Sequence, residues 1–217
     1  KVQQQEAREA VAAALSVKPD HIRHVLLNGG TAREYNKAFS KMAGVLSAAL
    51  DAPGAEDLEG HMISMPPRDF GLFELVAQVR ATLAMSLEVW DPELFSKICP
   101  GKDQDYGRRR FLDAYEAAVV RLGHGNVYAG FVAGLEPVTS LIEGMRALAN
   151  IGVVPAVAVF HPDAGSKFAR RTRPKTHDLL EIGREMSALY AQHGFRPLIT
   201  GSGRNSLDTE AYNQQFT

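Results

Sequence analysis

Val127-Tyr128-Ala129-Gly130-Phe131-Val132-Ala133, a break at Gly134, a helical stretch from Val138 to Asn150, and then Val153-Val154-Pro155-Ala156-Val157-Ala158-Val159-Phe160 decide the fold. Two almost wholly apolar runs flank one helix-length segment that closes at Ile151-Gly152. Strands that apolar are buried on both faces, as in a parallel sheet with helices packed against it. The same alternation extends in both directions. Upstream, Ile22 to Leu27, His61 to Met65 and Thr82 to Val89 read as strands. Between them, Arg33 to Leu50 carries Tyr35, Phe39, Met42, Val45 and Leu46 at helical spacing, and a helix is expected near Gly71 to Val79. Gln3 to Leu15, rich in alanine and glutamate, predicts a leading helix. Asp91-Pro92 opens a short helix that Cys99-Pro100 closes, and Tyr106 to Leu122 forms a longer one stopped at Gly123. Downstream, Thr176 to His193 is helical and Pro197 to Thr200 is a candidate last strand. Five strands alternating with helices allow two architectures, an open doubly wound sheet and a closed or partial barrel. In both, ligands bind at the carboxyl ends of the strands.

Composition narrows the function classes. The 217 residues suit one domain with one large core. With 24 basic against 25 acidic residues the net charge is -1, so the basic excess of a nucleic-acid binder is missing. The clusters Arg108-Arg109-Arg110 and Arg170 to Arg173 read as solvated faces. No run approaches the roughly eighteen apolar residues that a membrane span requires. The single cysteine, Cys99, excludes an intramolecular disulfide and fits a reducing cytoplasm; as a side chain it reads as a small buried hydrophobe. The opening residues are already helix-like and lack a methionine, which reads as a piece of a longer chain.

The strand ends carry polar or glycine residues. They are Asn28-Gly29-Gly30-Thr31, then Ser86 and Glu88, then Gly134 with Glu136, then His161-Pro162. Paired glycines admit a ligand to the backbone, although they also serve as plain turns. Glu88 shares a face with Ser86 by strand alternation, and a buried carboxylate needs a partner. That partner is either a ligand amine or ribose, or an arginine such as Arg109. His161-Pro162 reads equally as a loop start. Lysine is absent from the expected strands, and His21, His24 and His61 are scattered along the chain, which argues against a lysine- or metal-dependent barrel lyase.

Taken in order, these segments resemble the radical S-adenosylmethionine superfamily, in particular its biotin-synthase-like branch. The resemblance spans Arg23 to Ser166 and implies a partial (β/α)6 TIM-like barrel over residues 1–195 with a C-terminal extension over 196–217. It implies that Asn28, Gly29, Gly30 and Thr31 contact the methionine amino group, with Thr31 standing where many members have glutamate. Ser86 and Glu88 would reach the ribose or methionine, and Arg109 the methionine carboxylate. Gly134, Glu136, His161 and Pro162 would lie beside the adenine, although the spacing before Glu136 is one residue short of the pattern. Family members hold a [4Fe-4S] cluster on three cysteines after the first strand; that strand and loop are expected upstream of Lys1. The implied cofactors are S-adenosylmethionine and that cluster. The implied partners are a small-molecule substrate and an electron donor such as flavodoxin or ferredoxin, with no nucleic acid and no membrane. The implied chemistry is reductive cleavage of S-adenosylmethionine, followed by hydrogen abstraction or alkyl transfer. A catalytically silent nucleotide- or partner-binding barrel is the alternative. In the tail, Arg204 and Asp208 are candidate substrate contacts, while Ser206 followed by Glu210 reads more plainly as a helix N-cap.

Overall fold

A computed structural model describes residues 2–30, 34–197 and 207–216. Five strands, β1 (His24–Asn28), β2 (Glu59–Ile63), β3 (Thr82–Glu88), β4 (Val127–Ala133) and β5 (Val153–Val159), pair in the order β1-β2-β3-β4-β5. Every neighbouring pair is parallel. This order decides between the two architectures. Each crossover advances one strand in the same direction, and right-handed crossovers then lay all their helices on one face. A doubly wound sheet would have to reverse direction at a switch point. The sheet is therefore a partial α/β barrel.

Strand alternation supplies the two faces. Leu83, Met85 and Leu87 of β3, and Val127, Ala129, Phe131 and Ala133 of β4, are all buried. A Cβ placed on Gly60 of β2, on the same face, would lie 2.7 Å from Leu50. Leu50 closes α2 (Tyr35–Leu50), so this is the helix side. The other α-helices up to residue 193 are α1 (Gln4–Val17), α3 (Glu74–Gln78), α4 (Pro92–Ile98), α5 (Pro100–Asp105), α6 (Arg108–Leu122), α7 (Val138–Asn150) and α8 (Thr176–His193). The core between the layers is aromatic-rich, with Phe39, Phe73, Phe95, Phe111, Tyr115 and Phe131 almost fully buried. Burying one such ring contributes about 1.5–3 kcal/mol relative to exposure. The opposite face, the barrel interior, carries His61, Thr82, Ser86, Tyr128 and Gly130.

Two boundaries differ from the sequence expectation. Pro100 does not merely end a helix: it stands at the first position of α5, where its missing N–H costs nothing. At the other end, α9 (Asp208–Tyr212) is capped at Leu207, whose N–H donates to Val157 O of β5 at 2.9 Å. Thr31, residues 198–200 of the candidate last strand, Arg204 and Ser206 lie outside the described residues. β1 is the least buried strand, with Leu26 42% exposed.

Candidate functional site

All five strands point the same way, so their carboxyl ends share one pole. Its centre is the end of β3. There the register shifts: Ser86 pairs with Gly130, but Glu88 pairs with Phe131. Glu88 has φ of +75°, a left-handed conformation that side-chain-bearing residues adopt at a cost of about 1–2 kcal/mol. The bulge corrects the simple alternation expected for Glu88. Its partner is also corrected. Lys102 of α5 donates from Nζ to Glu88 Oε1 at 2.8 Å and to Ser86 O at 2.7 Å. Arg109, the expected partner, instead pairs with Asp113 at 2.9 Å, with its side chain 85% exposed. It lies two residues before the buried Phe111, on the opposite side of α6. Removing the cation by Lys102→Met leaves Glu88 partly buried and unpaired. We expect a loss of about 2 kcal/mol, below the fully buried case because water still reaches the pair, measurable by urea denaturation.

The two glycines after β1 differ. Gly29 N donates to Ile63 O at 3.1 Å, and a Cβ there would sit 2.3 Å from Met42 Sδ of α2. It is a packing glycine. A Cβ on Gly30 would meet nothing within 4 Å, so Gly30 leaves open space beside Asn28, which is exposed at the strand end. Gly29→Ala should therefore cost about 1–2 kcal/mol, while Gly30→Ala should leave the melting temperature nearly unchanged.

At the β4 end the expected ligand contacts are occupied by the protein itself. Gly134 has φ of +96°, and a Cβ on it would lie 2.9 Å from Pro174. Arg171 donates to Gly134 O at 3.0 Å and to Leu135 O at 2.7 Å, fastening the segment between β5 and α8 over this turn. Glu136, 9% exposed, accepts from Trp90 N at 2.8 Å, Asp91 N at 2.9 Å and Ser140 Oγ at 2.7 Å. Its carboxylate braces the loop after β3 to the start of α7. Arg108 completes the brace, donating to Trp90 O at 2.9 Å with its guanidinium 4.7 Å from the Trp90 ring. His161 is 63% exposed, with Nε2 2.7 Å from Arg173 and Nδ1 3.4 Å from Asp163; Pro162 follows it.

Sequence reading missed an aromatic-held pair of cations at the same pole. Arg68, in the loop after β2, lies 5.3 Å from the Tyr35 ring and 5.9 Å from Tyr106. Arg110 lies 5.1 Å from Phe70 and 5.7 Å from Tyr106. Burial pushes the Tyr106 hydroxyl up to about 12 against the opposing pull of Arg110, and it donates to Pro67 O at 2.7 Å. The three-arginine run that read as a solvated face is thus split by helix geometry: Arg108 and Arg110 are engaged and Arg109 is outside.

The histidines also correct the sequence reading. His24 and His61, 37 positions apart in the chain, are brought together by parallel pairing of β1 and β2, with ring centroids 5.6 Å apart. Even so, no group of three or more metal-ligating side chains assembles among the described residues. Cys99 is half-buried near Lys102; burial pushes its thiol up, partly offset by the lysine charge. Among the described residues no helix is long and apolar enough to cross a membrane.

Comparison with known proteins bears on this geometry. Over 130 residues, 59% of the chain, the sequence is 33% identical to bacteriochlorophyllide c C-7(1)-hydroxylase of Chlorobaculum limnaeum. The matched stretch is 32% of that protein. The crystal structure of HydG, a maturase of the [FeFe]-hydrogenase, superposes with a TM-score of 0.64. The match covers 89% of this chain and 43% of HydG, at 14% identity. The two share a fold. The chain spans less than half the length of either protein. No family model matches it.

Proposed function

We propose that the chain forms the greater part of the barrel of a radical S-adenosylmethionine enzyme and binds that nucleotide at the carboxyl-end pole. The observation that carries the reading is the placement of Asn28 and Gly30 at the carboxyl end of β1 and of Ser86 and the Glu88–Lys102 pair at that of β3, all at one pole of the parallel sheet. Open α/β sheets and barrels bind their ligands at that end. The likeness to a hydroxylase supports an enzyme, and it favours hydrogen abstraction over alkyl transfer because hydroxylation replaces a C–H bond.

The residues fit the nucleotide in chemical type. S-adenosylmethionine presents an ammonium, a carboxylate and ribose hydroxyls. Glu88 can accept from the first or the last, and Lys102 already neutralises it when no ligand is present. Gly30 leaves its backbone approachable. A Cβ on Gly130 would lie 2.9 Å from Ser86 Oγ, so glycine there keeps the Ser86 hydroxyl clear on the interior wall. When bound, S-adenosylmethionine supplies the one-electron chemistry that starts substrate conversion. This chain's residues bind and orient it, and the Glu136–Arg108 brace holds one wall of the site rigid. A four-iron cluster does not fit these residues. It needs three thiolates, and the chain has one cysteine, half-buried and with a raised pKa. The thiolates for such a cluster would have to come from residues other than these 217.

Calorimetric titration with S-adenosylmethionine tests the reading. Saturable binding is expected, weakened at least tenfold by Gly30→Val. Absent binding, or equal affinity in the two proteins, would refute it.

A further inference from the structure

A cavity lies at the amino-terminal pole, away from the strand ends that the proposed function uses. Its volume is about 520 Å³, within the range of small-molecule sites. Glu59 and His61 of β2, Thr82 of β3 and Tyr128 of β4 form its wall, and Arg80 and Arg196 stand on its rim. Three independent observations mark it as built for a ligand.

The first is His61. The residue is 4% exposed, yet its Nε2 has no hydrogen-bond partner. Its other nitrogen, Nδ1, makes a short contact with the Thr82 hydroxyl. That hydroxyl also donates to Gly60 O at 3.5 Å, so Thr82 engages Nδ1 and Nε2 is the ring nitrogen left over. The Glu59 carboxylate stands 3.9 Å from Nε2, outside hydrogen-bond range, with its side chain 75% exposed. A buried polar atom without a partner costs about 1–3 kcal/mol, and this one belongs to a residue of the cavity wall.

The second is the backbone at Arg80. This residue follows α3 in a Schellman turn: Arg80 N donates to Ala77 O at 3.0 Å and Ala81 N to Val76 O at 3.3 Å. The position requires a left-handed residue, and Arg80 has φ of +53°. Glycine is the ordinary occupant, so an arginine here holds a strained backbone at a residue that lines the cavity.

The third is charge. Neither Arg80 nor Arg196 forms an ion pair among the described residues. Two free guanidiniums therefore face one carboxylate, Glu59, among the lining residues.

We propose that this cavity binds a small anion bearing a phosphate or carboxylate group, with Arg80 and Arg196 as the charged clamp and the His61 ring in the wall behind it. Guanidinium forks match either anion. Calorimetric titration of the purified protein with inorganic phosphate, and separately with succinate, identifies which group is read. Saturable binding of at least one anion is expected. Arg80→Gly should weaken that binding at least tenfold while keeping or raising the melting temperature, because glycine relieves the left-handed strain. A loss of affinity in that variant is thus separated from a loss of fold. Glu59→Gln should tighten binding severalfold by removing the opposing charge. No saturable binding of either anion, or wild-type affinity in Arg80→Gly, would overturn the proposal.

Discussion

Glu136→Ala should lower the unfolding free energy by about 4 kcal/mol, the largest effect expected of a single polar substitution in this protein. The carboxylate is 9% exposed and accepts three hydrogen bonds, two of them from the backbone amides of Trp90 and Asp91. A hydrogen bond to a charged group contributes about 1.5–3 kcal/mol, and amides left buried without an acceptor add their own desolvation cost. The damage should spread. Trp90 packs so closely on α7 that a Cβ on Gly144 would lie 2.7 Å from its ring, and Arg108 loses its seat when Trp90 moves. Urea denaturation with tryptophan fluorescence reads both effects, since Trp90 is the sole tryptophan. A stability loss under 1 kcal/mol with an unchanged emission maximum would show that Glu136 does not brace the two loops.

Acidification should cost on the order of 3 kcal/mol through His61 alone. Burial, assisted by His24, lowers its pKa from 6.5 to about 4. The unfolded chain therefore takes up a proton at this position below about pH 6.5, whereas the folded chain resists until about pH 4. Stability from the neutral, buried ring is fully present above pH 6.5 and is lost as the pH falls through this window. Carboxylates titrate near its lower edge, so the contribution is read as the difference between wild type and His61→Gln, in buffer free of phosphate and carboxylate. The variant should show a flatter decline between about pH 7 and pH 4. Parallel declines in the two proteins would show that His61 is not held neutral by the fold.

The elements were legible because local periodicity determines them. The helix from Thr176 to His193 and the strand from Val127 to Ala133 fall where their patterns place them, and the five strands read from apolar runs are the five that pair. What escaped was non-local. The bulge at Glu88 depends on its pairing with β4, where a glycine opposite Ser86 allows close approach; nothing within Thr82 to Val89 encodes it. Lys102 was hidden by Pro100, since proline ends one helix and begins the next with equal ease. The three bonds that Glu136 accepts are equally hidden from local pattern, since its amide partners lie 45 and 46 positions earlier. The contact between His24 and His61 exists only through strand register. In each case the missing information is a contact between segments, and a single sequence carries no record of such contacts.

On the function we propose, S-adenosylmethionine binds at the carboxyl-end pole. Backbone amide chemical shifts, recorded by NMR during titration with that nucleotide, test it most directly. The largest changes should fall on Gly30, Ser86, Glu88 and Lys102, with His61, His124 and Arg80 at the other pole unmoved. Changes concentrated at the second group, or scattered without regard to either pole, would contradict it.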